Sequence, residues 1–404
     1  MRKIDLTNFQ VATSETARDI NRRIMLNLVR KHQPVSRADL ARHSGLQRST
    51  VSAIAEQLLE QNWLKEGAVG QSQRGRKPRF LHLNAQRAGL FGINVRPGIT
   101  YMALANLNGE FLAQDTIPTP VQFSQFIDEV SQRIQSLKTT YPEFSYEGIG
   151  VSLPGRMDMA SGRVVFSPNL GWEKEDLKTS LESATGLPVE LENEANTCAL
   201  SEFWFGRETE GVSNLVAVAV SEGIGTGIIL NGQLVRGPFG LTGEFGHVSL
   251  VEDGLRCSCG NRGCWEMYAS NWAALRYFAE ANASDSKRGR DQHPSRFVHA
   301  FEELLRLAEQ GDLGAGAALD QMAHYLGLGI ALLVNGLAPD VIVVVGEVTR
   351  AWDRVGPIIS ETVKRHSFSQ ATTRIIASGP APLPRLRGII ALMLQKRFGA
   401  PSIA

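Results

Sequence analysis

From Ala17 to Lys31 apolar residues recur at Ile20, Ile24 and Leu28, the spacing of one helix face. His32-Gln33-Pro34 ends that helix, because the residue before a proline is pushed out of the helical region. Ser36, with Asp39 three positions on, reads as an N-cap with its acidic partner and predicts a short second helix. Ala41 is small enough for close helix packing, and Gly45 supplies the tight turn that follows. A third helix is predicted from about Gln47 to Gln61, burying Val51, Ile54, Leu58 and Leu59 and presenting Arg48, Ser49, Thr50 and Ser52 on its opposite face near the start. Gln47 is a poorer N-cap than Ser or Thr, which leaves it free for another partner.

Helix, short helix, Gly turn and a helix with a polar leading face is the layout of a helix-turn-helix. A Gly- and Arg-rich run from Glu66 to Arg79 follows, then the strand-like Phe80-Leu81-His82-Leu83, which predicts a winged variant with a basic hairpin. In this reading Arg37, Gln47, Arg48, Ser49, Thr50 and Ser52 approach base edges and backbone at the major groove. Arg74, Arg76 and Lys77 of the hairpin take phosphate or the minor groove.

Beyond residue 85 two stretches repeat one pattern. Gly89 to Ile117 reads as strand, strand, an Asn108-Gly109 turn and strand; Asn214 to Arg236 reads as strand, Gly-rich turn, strand, an Asn231-Gly232 turn and strand. Each unit is followed by helical sequence and another apolar strand, Gly148–Leu153 in the first half and Val341–Val345 in the second. This predicts two α/β lobes of similar topology with a ligand cleft between them. The polar run from Ala281 to Arg296 is expected to be an exposed loop.

The charge distribution sharpens this division. Over the 404 residues, 42 Lys+Arg nearly balance 41 Asp+Glu, but residues 1–90 carry a net +9 and the remainder −8. A basic head on an acidic body points to a polyanion partner for the head and a different ligand for the body. Met1–Ser14 lacks the apolar stretch of a signal peptide, and Leu326–Val345 is interrupted by Asn335, Pro339 and Asp340. The expected location is the cytoplasm.

Three of the four cysteines fall within eight residues. Gly243-Glu244-Phe245-Gly246-His247 precedes Cys257-Ser258-Cys259-Gly260-Asn261-Arg262-Gly263-Cys264-Trp265-Glu266. His247, Cys257, Cys259 and Cys264 make four ligands suited to tetrahedral Zn²⁺, with Gly260 and Gly263 allowing tight turns between the thiolates. With every position filled by protein, the zinc is expected to be structural.

This zinc segment, Leu191-Glu192-Asn193-Glu194-Ala195-Asn196, Leu153-Pro154-Gly155 and the winged head together resemble the ROK family (repressors, open reading frames, kinases), in its N-acetylglucosamine and xylose repressor branch. The resemblance spans about residues 15–400. It implies an N-terminal winged helix-turn-helix at 1–84 and an actin-like, ribonuclease H-like α/β body. Lobe 1 would occupy 85–195 and lobe 2, with the structural zinc, 196–404, the C-terminal helix returning to lobe 1. It also implies that Asn193, Glu194, Glu244, His247 and Glu266 bind a sugar. Carboxylates accept from adjacent hydroxyls, and His247 can serve zinc with one ring nitrogen and a hydroxyl with the other.

The expected function is a sugar-responsive regulator, a repressor of carbohydrate-utilisation genes. Its partners would be double-stranded operator DNA and a sugar or sugar-phosphate effector, in a homodimer or homotetramer; the resemblance also allows a membrane sugar transporter as partner. The alternative is an ATP-dependent sugar kinase with a fused DNA-binding head. Against it, the phosphate loop that ROK kinases carry reads here Gly92-Ile93-Asn94-Val95-Arg96-Pro97-Gly98: Asn94 replaces an acid, and Arg96 and Pro97 add bulk where glycines allow phosphate to approach. Glu347 adds negative charge at the later adenosine motif. Only Gly223-Ile224-Gly225-Thr226-Gly227 still resembles a second phosphate loop.

Overall fold

The computed structural model describes residues 14–69, 79–158, 161–167, 170–206, 208–209, 211–237, 240, 242–282, 294–368, 372–379 and 384–398. The head comprises α1 (Ser14–His32), β1 (Val35–Ser36), α2 (Arg37–Ser44), α3 (Arg48–Glu60), β2 (Leu64–Val69) and β3 (Arg79–Leu83). Ser36 caps α2 reciprocally: its hydroxyl accepts from the Asp39 N–H at 3.2 Å, and the Asp39 carboxylate accepts from the Ser36 N–H at 3.3 Å. Gly45 ends α2 with φ +70°, the left-handed turn that lets α3 leave at an angle. Gln47 makes no side-chain cap bond. Val51, Ile54 and Leu58 are buried as expected, whereas Leu59 is only half-buried. Successive helical residues point about 100° apart, so Leu58 sits within the buried face and Leu59 at its edge, packed against the same core. β1, β3 and β2 form a three-stranded antiparallel sheet beneath the helices. Arg74, Arg76 and Lys77, expected in the basic hairpin, lie outside the described residues.

Lobe 1 follows as β4 (Ala88–Val95), β5 (Ile99–Asn106), β6 (Phe111–Pro118), α4 (Phe123–Thr140) and β7 (Ser145–Leu153). A small antiparallel flap comes next, β8 (Arg156–Asp158), β9 (Arg163–Ser167) and β10 (Trp172–Glu175), then α5 (Leu177–Thr185) and β11 (Val189–Asn193). Its main sheet has the order β11-β7-β4-β5-β6, antiparallel through β4-β5-β6 and parallel through β4-β7-β11. After α6 (Glu194–Phe205), lobe 2 repeats the plan with β12 (Leu215–Val220), β13 (Ile224–Leu230), β14 (Gln233–Leu234), α7 (Glu266–Ala269), α8 (Asn271–Ala281), α9 (Pro294–Glu309), α10 (Leu313–Leu337), β15 (Val341–Val345), α11 (Trp352–His366) and β16 (Arg374–Ala377). Its sheet order, β14-β13-β12-β15-β16, has the same directions strand for strand. The two lobes are therefore repeats of one topology, as the paired Asn-Gly patterns predict. Asn231 and Gly232 both adopt positive φ (52° and 73°), the hairpin geometry that dipeptide favours.

One expectation needs correction in lobe 2. Pro294–Arg296, expected in a loop, opens α9, with the proline at the first helical position where its missing N–H costs nothing; residues 283–293 lie outside the described residues. The apolar run Leu326–Val345 divides into the end of α10 and β15. α10 is by itself long and apolar enough to cross a membrane, but it is the central core helix of this lobe: Leu319, Met322, Leu326, Ile330 and Leu333 are all fully buried.

The last helix, α12 (Pro384–Phe398), runs back across the molecule. Its Leu386, Ile389 and Ile390 pack over Gly92 and Gly150 of the lobe 1 sheet, and Gly388 lies directly against the Thr197 carbonyl of α6. At its far end Ile390, Met393, Leu394 and Phe398 share one core with Met25, Val29, Leu58 and Trp63 of the head. Phe398 meets the Trp63 ring edge-on, centroids 6.3 Å apart, and the Arg87 guanidinium stacks 4.0 Å over the same ring.

Candidate functional site

The cleft is built where β11 becomes α6. Asn193 caps α6, its side-chain oxygen accepting from the Ala195 N–H at 2.8 Å, which leaves its amide N–H₂ to reach outward, toward the Gly155 carbonyl at 3.4 Å. A small cavity opens beside it, lined by Asn193, Asn196, Thr226, Thr242 and Glu244 among others. Glu192, only 1% exposed, organises this wall. It accepts from the Asn196 amide at 2.9 Å and from Arg236 Nε at 2.9 Å, tying the loop before Glu244 to lobe 1. On the other wall the Thr226 hydroxyl donates to the Gly243 carbonyl at 2.6 Å. A Cβ on Gly243 or Gly246 would overlap the carbonyls of Thr226 and Ile224, so the Gly243–His247 turn can lie against β13 only with glycine at both positions.

His247 leads from this cavity to the cysteine cluster. Its Nε2 faces Glu244 at 3.7 Å, while Nδ1 faces Cys257 Sγ at 3.6 Å and Glu266 Oε1 at 3.4 Å. The ligand atoms of His247, Cys257, Cys259 and Cys264 all lie within 4.8 Å of one another, and Cys259 and Cys264 Sγ are 3.6 Å apart. These four side chains could hold a metal ion, and one nitrogen with three sulfurs at edge-of-tetrahedron spacing fits zinc. Gly260 and Gly263 adopt φ +98° and +71°, and a Cβ on Gly263 would overlap the Val251 carbonyl. Burial raises the Cys257 and Cys264 thiols above their usual range, so in the absence of a cation they are neutral; a bound dication deprotonates such thiols outright. The cluster is anchored by Trp265, which is buried on Gly329 of α10 and donates from Nε1 to the Tyr325 carbonyl at 2.9 Å.

The remaining sugar candidates divide. Glu266 stands between the cluster and β13: Oε1 accepts from the Cys257 thiol at 3.0 Å, and a Cβ on Gly223 would touch Oε2. Asn193, Glu244, His247 and Glu266 are thus linked through one set of neighbours. Glu194 does not line the cavity; its carboxylate pairs with Arg385 Nε of α12 at 3.1 Å. Arg385 is 8% exposed. Burial works against its charge, but Glu194, Glu347 and Glu222 nearby hold it firmly protonated.

The segment 92–98 also meets the opposite lobe. Arg96, at the end of β4, reaches across to lobe 2 and pairs with Glu222 at 3.4 Å and Glu347 at 3.8 Å. Glu347 in turn accepts from Asn271 Nδ2 at 3.2 Å. Arg236, Arg385, Glu222 and Glu192 received no role from sequence: isolated charges far apart along a chain carry no spacing signal, and only the fold brings them together.

In the head, Gln47, Arg48, Ser49 and Ser52 are exposed on the leading turn of α3 and Thr50 is half-buried. Arg37 is held differently, between Glu56 at 3.0 Å and Glu66 at 3.3 Å.

The ROK family profile matches residues 92–395. The chain belongs to the ROK family. It is 31% identical over 365 residues to the xylose repressor of Bacillus subtilis strain 168, covering 89% of this chain and 90% of that protein. Among solved structures, a ROK family transcriptional regulator described as a homologue of the E. coli MLC protein superposes with a TM-score of 0.80 at 26% identity, covering 95% of this chain and 98% of that one. A ROK family glucokinase from Streptomyces griseus, in complex with glucose and AMPPNP, superposes with a TM-score of 0.65 at 27% identity, over 76% of this chain and 99% of the kinase. The ROK body is thus shared with sugar kinases, and the match that extends over the head is with a regulator.

Proposed function

We propose that this ROK protein is a cytoplasmic, sugar-responsive repressor that binds operator DNA through its winged head and catalyses no phosphoryl transfer. One observation carries the reading: α12 sets Arg385, in its first turn, against Glu194 beside the cleft, and ends in the core of the head. A ligand that changes the angle between the lobes acts through a rigid rod on the elements that meet DNA. Asn193, Glu244, His247 and Glu266 hold the sugar, with Asn196 and Thr242 completing the wall; Glu194 acts on α12 instead of on the sugar directly. The bound metal is structural Zn²⁺ on His247, Cys257, Cys259 and Cys264, keeping His247 and Glu266 in place.

Several features support the loss of kinase chemistry. Asn94 supplies no charge for a metal ion, Pro97 has no N–H for a phosphate, and Arg96 pairs across the lobes with Glu222 and Glu347. A homodimer or homotetramer would present paired heads to half-sites one helical turn or a multiple apart. The Bacillus subtilis relative is named for xylose, which makes xylose the first effector to try. Fluorescence anisotropy of the full-length protein on labelled duplex from its own promoter region tests the reading: the expected result is tight binding, lost on adding one monosaccharide. Sugar-dependent ATP hydrolysis, with no retention of DNA, would establish the kinase instead.

A further inference from the structure

The two strands of the wing pair irregularly. β2 and β3 match residue for residue from Leu64↔Leu83 to Glu66↔Leu81, then slip, and the next partners are Val69↔Arg79. Gly67 and Ala68 therefore stand against Phe80 alone, a β-bulge, which bends and twists the strand it interrupts. Gly67 lies on the His82 ring, where a Cβ would come within 2.5 Å of Nε2. Past such a bulge the ladder fixes the direction of the hairpin less firmly, and side chains take over that task.

Glu66, the last residue before the bulge, supplies the link. Its Oε2 accepts from Arg79 Nη1 at 2.5 Å across the hairpin, and its Oε1 accepts from Arg37 Nη1 at 3.3 Å at the start of α2. Arg37 Nη2 donates in turn to Glu56 Oε1 of α3 at 3.0 Å. Four side chains thus tie both wing strands to both helices of the helix-turn-helix. Both Nη atoms of Arg37 face carboxylates and its Nε is buried, so its guanidinium is turned to its own acids instead of to a phosphate. The hydrogen bond from Arg79 holds the Glu66 carboxyl below the usual carboxylate range, and it stays charged at neutral pH. A lone exposed ion pair fixes little, but a carboxylate shared by two arginines is a network with defined geometry.

We propose that Glu66 and Arg37 are positioning residues for operator recognition: they set the angle of the wing against α3 and touch no DNA themselves. The proposal rests on the DNA-binding reading of the head and gives it a sign. A carboxylate beside a polyanion ordinarily weakens binding, so neutralising it tightens the complex. Neutralising a carboxylate that positions the binding elements does the reverse.

Fluorescence anisotropy of the full-length protein, on duplex from its own promoter region and on a scrambled duplex of equal length, tests this across a salt series. Glu66→Gln is expected to weaken promoter binding by about tenfold while scrambled-duplex binding holds within about twofold, and Glu66→Asp to recover part of the loss. Arg37→Gln is expected to cost a similar factor at an unchanged salt slope, and the double variant no more than about twofold beyond either single one, because both act through one network. Should Glu66→Gln lower the melting temperature, Glu56→Gln, at a 64% exposed side chain, carries the same test with an expected loss of about threefold on promoter duplex alone. Promoter binding that is unchanged or tighter in Glu66→Gln, or an equal loss on both duplexes, overturns the positioning role. A salt slope lower by about one in Arg37→Gln, with effects that add to those of Glu66→Gln, makes Arg37 a phosphate contact and overturns its part. Wild-type protein that does not prefer its promoter duplex overturns the DNA-binding reading, and this inference with it.

Discussion

Glu244 stands at the junction of the two chemistries in the cleft, lining the cavity with one face and approaching His247 Nε2 with the other. It lies far from the head core, and its side chain is 53% exposed, so removing it should leave the fold intact. Glu244→Ala is expected to retain operator affinity within about twofold and lose most of its response to sugar; normal induction in a DNA-release assay would contradict the pocket. Cys259 is the exposed member of the cysteine cluster, so its loss creates no core cavity and isolates the metal effect. Cys259→Ser is expected to lower bound zinc from about one per chain towards zero, together with the melting temperature. Unchanged zinc content would remove the metal assignment. At this scale the sequence was most legible where ligands cluster within a few residues, as in Cys257–Cys264 and the Ser36/Asp39 cap. It was least legible where a partner comes from a remote segment: nothing near Glu194 foretells Arg385, about 190 positions away.

Helix α12 is the element on which communication depends. Gly388 permits its approach to α6, since any Cβ there would overlap the Thr197 carbonyl. Gly388→Ala is expected to destabilise the protein by about 1–3 kcal/mol, the usual cost of overpacking, and to blunt the sugar response; an unaltered urea midpoint would show that the two helices can part freely. On α6, burial raises the Glu202 carboxyl from its ordinary 4.5 to about 7, with Arg387 opposing the shift. The folded state keeps this proton while the unfolded chain loses it, so the contribution is greatest below pH 4.5 and declines as pH rises towards about 7. Relative to Glu202→Gln, the wild type is expected to lose roughly 3 kcal/mol between pH 4.5 and pH 8. Parallel stability curves for the two proteins would contradict this. Helix periodicity and Asn-Gly turns disclosed most elements, because both are local signals. The return of the C-terminal helix to lobe 1 came from the resemblance and not from its own pattern, since the sheet α12 covers, Gly92 and Gly150 included, is fixed only by tertiary packing.

For the whole molecule, contacts run from the cleft through α6 and α12 into the core of the head. The lobe repeat was visible in the two strand–strand–Asn-Gly–strand patterns, and the head in its charge and its Gly turn. The interlobe pairing of Arg96 with Glu222 and Glu347 was not, because ion pairs between distant loops leave no periodic trace. In the proposed reading these contacts lie where a kinase would need a nucleotide, and binding energy from sugar goes into changing shape instead of into chemistry. The most direct test follows from that exchange: one preparation of full-length protein, titrated with sugar on operator duplex, with ATP turnover monitored in the same cuvette. The account predicts release of DNA by sugar alone at unchanged ATP; brisk sugar-dependent ATP consumption, or DNA binding indifferent to every sugar tried, would contradict it.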